Sequence, residues 1–272
     1  MAHYRHHRAW SGLDLVRDLS RMMSDFERGR APAVLSGAFY QSMDTPESSA
    51  SGESAMFAWP FIRGVIGWQA DAQHRAAALE PHLPPEWASA RITNLRIGRD
   101  RIDAAITRER GVYAISLRRL TVGPAVFMRV APALPLGARI DRIVVDDGDV
   151  DVQAEESVHD LHAVADVTLL RDAHVEFHYT GGIEVIAPPE RVEPGDASQD
   201  LKVLDFRREG REYVLLLEGV AGDSYTLQLR AETPVRAAIG ADSFEQGDDR
   251  VTLRVTLPQG VGHVRKTIRL RP

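Results

Sequence analysis

Residues 91–120 read "RITNLRIGRDRIDAAITRERGVYAISLRRL", and their hydrophobic pattern decides the fold. In this stretch Ile102, Ala104 and Ile106 alternate with polar or charged residues, and Tyr113, Ile115 and Leu117 do the same after a turn at Gly111. A period of two places alternate side chains on opposite faces of a strand, one face in a core and the other in water.

The pattern continues outward from there. Runs such as "AVFMRVAP", "RIDRIVV", "DVTLL", "HVEFHYT" and "IEVIAPP" follow, and after them "LKVLDFRRE", "EYVLLLEGV", "SYTLQLRAE", "VRAAIG", "RVTLRVTLP" and "HVRKTIRL". About a dozen short strands separated by Gly, Asp and Pro turns predict a mainly β protein, an antiparallel β-sandwich. The stretch 187–200, ending "PPERVEPGDASQD", reads as a linker that divides the β region into two sub-sandwiches. The strands do not alternate with helices, and no Gly-rich phosphate loop leads into one, so a nucleotide-cofactor enzyme is disfavoured and no cofactor is expected.

The first part of the chain differs. "SGLDLVRDLSRMMSDFERG", 11–29, carries Leu15, Leu19, Met22, Met23 and Phe26 at helical spacing, with Ser11 as N-cap and Gly29 beyond the end. Residues 30–53 form a long polar loop containing two prolines. A second helix is expected over 54–68, "SAMFAWPFIRGVIGW", where Arg63 is the only charged residue and the apolar side chains cover the whole circumference. A helix of that kind belongs inside a larger body, which one amphipathic helix cannot supply. In "LEPHLPPEW", 79–87, Pro81, Pro84 and Pro85 forbid further helix, and Trp87 is expected to anchor the junction. The expected division is therefore a helical segment, 1–72, and a β-sandwich region, 73–272.

Composition excludes several classes of function. The 272 residues are 44% apolar and 26% charged, with a net charge of −6 and no basic block, so neither nucleic acid nor an anionic membrane is an expected partner. The chain lacks cysteine, which removes disulfides, thiolate metal sites and a cysteine nucleophile, and suits a reducing cytoplasm. "MAHYRHHRAW" lacks the apolar core of a secretion signal, and the run ending at Trp68 is too short and broken to span a bilayer.

Among polar residues, His3, His6 and His7 have no further ligand at metal-binding spacing and read as a polar lead-in. His174, Glu176 and His178 share one face of a strand; they fit a solvent-facing stripe, or a site for zinc or another divalent ion. "HDLH", 159–162, is a further ligand source that nothing in the sequence brings near them. Ser36 lacks the surroundings of a nucleophile elbow. Asp44, Glu47 and Glu53 lie in the long loop beside Tyr40 and Gln41, just before the apolar helix that carries Trp59. Carboxylates beside an aromatic ring suit sugar chemistry, with the acid acting on the glycosidic oxygen or a water and the ring stacking on a pyranose. A plain polar loop accounts for the same residues.

The order of "LSGAFYQSMDTPE", "AMFAWPFIRGVIGWQADA" and "LEPHLPPEWASARITNLRIGRDRID" resembles the C-terminal end of bacterial six-hairpin, (α/α)6-barrel glycosidases, the amylo-α-1,6-glucosidase or glycogen-debranching-like group. The motifs "HLPPEW", "NLRIG" and "GVIGW" carry the resemblance most strongly. It implies that helix 54–68 completes a barrel whose other helices come from a second chain or an upstream region. Covering such a helix removes on the order of a thousand Å² of apolar surface from water, worth roughly 20 kcal/mol as an upper bound. The resemblance further implies a carbohydrate substrate and a general base in the loop, with Glu53, Asp44 and Glu47 as candidates in that order. Tyr40, Gln41 and Trp59 would line the substrate cleft. For an inverting mechanism the two carboxylates stand roughly 6.5 to 9.5 Å apart.

Overall fold

The computed structural model describes residues 59–188 and 199–272, together with Gly12. The described chain is mainly β, as the alternation predicts. A π-helical turn, Phe61–Val65, leads into β1 (Trp68–Asp71), β2 (Ala76–Leu79), β3 (Ser89–Ile97), β4 (Asp100–Glu109), β5 (Val112–Arg119) and β6 (Val126–Val130). The short β7 (Ala133–Leu134) precedes β8 (Arg139–Val145), β9 (Gly148–Val150), β10 (Gln153–Glu156), β11 (Leu161–Leu169) and β12 (Asp172–Thr180). Beyond these come β13 (Ile183–Ile186), β14 (Lys202–Glu209), β15 (Glu212–Val220) and β16 (Ser224–Ala231). The last strands are β17 (Ala237–Ile239), β18 (Ser243–Gln246), β19 (Arg250–Thr256) and β20 (His263–Arg271).

These strands form four sheets. One has the order β1-β2-β6-β11-β10, with β7 also on β11, and it faces a second of order β3-β4-β5-β12-β8-β9. Pairing is antiparallel apart from β2 with β6, where Ala76 lies opposite Phe127. Register aligns the apolar positions: Ile106 lies opposite Ile115, and Ile115 and Tyr113 lie opposite Val175 and Phe177. Those side chains join Leu79, Met128, Val130 and Leu169 of the first sheet in one buried cluster. Each fully buried aliphatic or aromatic side chain contributes about 1.5–3 kcal/mol through removal from water.

The other two sheets, β13-β16-β19-β18 and β14-β15-β20-β17, enclose a second cluster built on Leu215, Leu217, Leu227, Leu229, Val251, Leu253 and Ile268. The chain crosses from one cluster to the other through Gly181 and Gly182. Both have positive φ, 76° and 93°, and a Cβ on Gly182 would lie 2.6 Å from Pro135 Cβ. Leu136 and Ile183 pair through two backbone hydrogen bonds of 3.0 and 3.1 Å at this crossing.

The helix expected through Trp68 ends earlier. Gly67, at φ 69°, turns the chain into β1, and a Cβ there would stand 1.9 Å from the Glu80 carbonyl oxygen, so only glycine fits. Val65, Ile66 and Trp68 are buried in the first cluster, whereas Trp59 and Ile62 are 55% and 41% exposed. Trp87, expected to anchor the junction, is 38% exposed. The expected helix 11–29, the loop 30–53 and the first part of helix 54–68 lie outside the described residues, Gly12 apart, as does most of the linker stretch 187–200.

Candidate functional site

Of the sequence-selected cleft residues, Trp59 alone is described; Tyr40, Gln41, Asp44, Glu47 and Glu53 lie outside the described residues, as do His3, His6, His7 and Ser36. The Arg63 guanidinium sits 4.6 Å from the centre of the Trp59 ring, one turn away. The cation covers one face of the indole and leaves the side chain more than half exposed.

His174, Glu176 and His178 do share one face of β12. Each histidine takes a different oxygen of Glu176, His174 Nε2 at 3.2 Å and His178 Nε2 at 2.9 Å. Those two hydrogen bonds hold the Glu176 carboxyl below its ordinary pKa. The carboxylate therefore spans the two rings in a solvent-facing stripe. Ser116 Oγ, at 2.9 Å from His174 Nδ1, completes it.

A different set of donors converges. His82 from the Pro-rich segment after β2, Asp160 from the turn before β11, and His162 on β11 place one ligand atom each within 4.8 Å of one another. The backbone fixes all three. His82 N–H donates to Val65 O at 2.9 Å, and Ala133 N–H donates to Pro81 O at 3.0 Å, so the Pro-rich segment is held between the helical turn and β7. Ser157 shapes the turn: its hydroxyl accepts the N–H groups of His159 and Asp160, both at 3.1 Å, and donates to Asp160 Oδ1 at 2.9 Å. Asp160 Oδ2 then faces the rings, 3.3 Å from His162 Nε2 and 3.7 Å from His82 Nε2.

His162 Nδ1 lies 2.8 Å from Ala131 O, and because a carbonyl only accepts, that nitrogen carries a proton. Burial opposes charge on His162, but Asp160 and the Ala131 carbonyl outweigh it and raise its pKa above the usual histidine value. Burial dominates at His82, whose pKa falls despite Asp160 and with His162 adding repulsion. The two rings meet edge to face at 4.8 Å.

A cavity of about 90 Å³ adjoins this triad, lined among others by His82, Pro84, His159, Asp160, Glu184 and Phe206. It lies where the two sandwiches meet, and has room for a few water molecules. His159 Nε2 crosses the junction to Asp205 Oδ1 of β14 at 3.0 Å. In the sequence "LEPHLPPEW" and "HDLH" carry these donors far apart, and no ligand spacing relates segments brought together only by the sheet.

The chain matches no family model, and no curated protein matches it. Among solved structures it matches an alpha-L-rhamnosidase from Dictyoglumus thermophilum at 14% identity and a TM-score of 0.34, over 51% of this chain and 15% of that one. It matches the GH127 beta-L-arabinofuranosidase Ara127N-Se from Geobacillus Stearothermophilus T6 at 11% identity and 0.31, over 82% of this chain and 35% of that one. A third match, described as a glycoside hydrolase, has 12% identity and a TM-score of 0.32, over 86% of this chain and 44% of that one. All three are glycosidases by name, and the chain spans less than half the length of each. Among the described residues, no helix is long and apolar enough to cross a membrane.

Proposed function

We propose that this chain is the sandwich-bearing C-terminal part of a glycoside hydrolase acting on α-glucosidic or related linkages. It contributes at most one catalytic carboxylate, a general base drawn from Glu53, Asp44 and Glu47 in that order. Trp59, Tyr40 and Gln41 form a wall of the substrate cleft. The remaining helices of an (α/α)6 barrel come from a second polypeptide or an upstream region, and a cysteine-free composition suits a reducing cytoplasm.

The observation that carries this reading is the two-ended character of segment 59–68. Val65, Ile66 and Trp68 are sunk in the sandwich, while Trp59 and Ile62 stand in solvent at 55% and 41% exposure. Apolar side chains open among the described residues, at the junction that the resemblance assigns to a barrel, support a covering neighbour that the expected helix 11–29 and the further barrel helices would supply together. Trp59 also has the ring chemistry that sugar faces stack on.

The test is kinetic. The enzyme assembled on the tagged chain is isolated from its native cells with Glu53→Gln, Asp44→Asn or Glu47→Gln, and each form is assayed on aryl α-glucosides. Loss of a general base lowers kcat by about a hundredfold or more with KM little changed. If all three forms turn over like the parent, the chain is instead a non-catalytic carbohydrate-binding or scaffolding partner.

A further inference from the structure

We propose that His82, Asp160 and His162 bind one zinc-class divalent cation and leave a coordination position open toward the adjoining cavity. Two imidazoles and a carboxylate are a donor set that zinc and other first-row divalent ions accept, and three protein ligands leave room for a water or an oxygen ligand.

The geometry is close to that of a loaded site. Metal–ligand bonds of about 2.0–2.1 Å in a tetrahedron set the ligand atoms roughly 3.3 Å apart. Asp160 Oδ2 already stands 3.3 Å from His162 Nε2 and 3.7 Å from His82 Nε2. The widest separation in the set, within 4.8 Å, closes by a small turn of the imidazoles. All three side chains are buried, at 8–9% exposure.

The surroundings orient the ligands as metal sites require. His162 commits Nδ1–H to the Ala131 carbonyl, which turns Nε2 toward Asp160 Oδ2 and the space between the rings, where a cation would replace the Nε2 proton. Ser157 holds Asp160 Oδ1 and leaves Oδ2 facing the histidines. His82 and Asp160 both line the cavity, where a fourth ligand would sit.

A bound cation would also have a mechanical consequence. It would tie the Pro-rich segment, and through His82 N–H and Val65 O the end of the helical turn, to β11 of the sandwich. This inference is independent of whether the chain belongs to a glycosidase.

The experiment uses the full chain with His3, His6 and His7 changed to glutamine, stripped with a chelator and titrated with Zn²⁺ by calorimetry. The expected result is one Zn²⁺ per chain and a rise in Tm on loading. His82→Gln or Asp160→Asn should weaken binding about tenfold or more, whereas His174→Gln with His178→Gln should leave it unchanged. X-ray absorption of the zinc-loaded parent should count two imidazole ligands, which tests the site even if the variants fail to fold. Absence of binding by the parent, binding that survives both His82→Gln and Asp160→Asn, or a spectrum with fewer than two imidazoles would overturn the proposal.

Discussion

Arg108 Nη2 donates to both carboxylate oxygens of Glu184 at 2.7 Å, joining a strand of the first sandwich to a strand of the second. The Arg108 side chain is fully buried and that of Glu184 is 15% exposed. Arg108 Nη1 reaches the carbonyls of Leu83 and Pro84 at 3.3 and 3.1 Å, which adds the Pro-rich segment to the same knot. Burial works against the guanidinium charge, and the Glu184 carboxylate outweighs it, holding the Arg108 pKa above its ordinary value.

Removing one partner leaves the other charged and dry. Glu184→Gln is therefore expected to destabilise the protein by about 3–5 kcal/mol in urea unfolding, and the pair Arg108→Met with Glu184→Leu to recover most of that loss. A single variant within about 1 kcal/mol of the parent would show that water reaches Arg108.

Acid should loosen the edge of the first sandwich near Asp100. Burial alone raises this carboxyl's pKa, but the Thr121 hydroxyl and the Arg119 and Arg75 guanidinium groups outweigh it and hold the group below its ordinary value. Arg119 Nη2 lies 2.6 Å from Asp100 Oδ1, and Arg75 Nη2 lies 3.0 Å from Oδ2. A carboxylate with a depressed folded pKa contributes stability that is fully present above its unfolded pKa and is lost as pH falls through the folded one. Asp100→Asn should cost about 1.5–3 kcal/mol at neutral pH, and the gap should narrow as pH falls below the ordinary aspartate range. Chemical unfolding at several pH values checks this; a gap that is constant with pH would contradict it.

Gly182 joins the sandwiches at φ 93° with Pro135 Cβ 2.6 Å from where its own Cβ would be. Gly182→Ala should cost about 1–3 kcal/mol from backbone strain, with the clash added to it. Hydrogen exchange should rise first at Leu136 and Ile183, whose mutual backbone bonds depend on this turn. Unchanged exchange there would mean that the crossing absorbs the methyl group without shifting.

Where β-branched and other apolar residues cluster between turn residues, the strands are legible in the sequence. "RIDRIVV" and "EYVLLLEGV" coincide with β8 and β15 end to end. The missed strands lack that signal. Residues 76–79, "AAAL", are mostly alanine and read as easily for helix, and β10 is exposed at every position. β1 was hidden by the apolar run before it, whose helical reading stops at Gly67 because Glu80 O approaches too closely for any side chain. The His174–Glu176–His178 face was legible because period two alone creates it. The His82–Asp160–His162 cluster was not, because pairing of β2 with β6 and of β6 with β11 assembles it from distant segments.

Hydrolysis of aryl α-glucosides by the purified, monodisperse chain, alone and joined to the second polypeptide or upstream region proposed to supply the other barrel helices, tests the functional reading most directly. The expected result is no turnover above buffer for the chain alone and turnover that appears in the completed assembly. Robust turnover by the solitary chain, or silence of the completed assembly, would contradict the proposed site shared between this sandwich and a barrel.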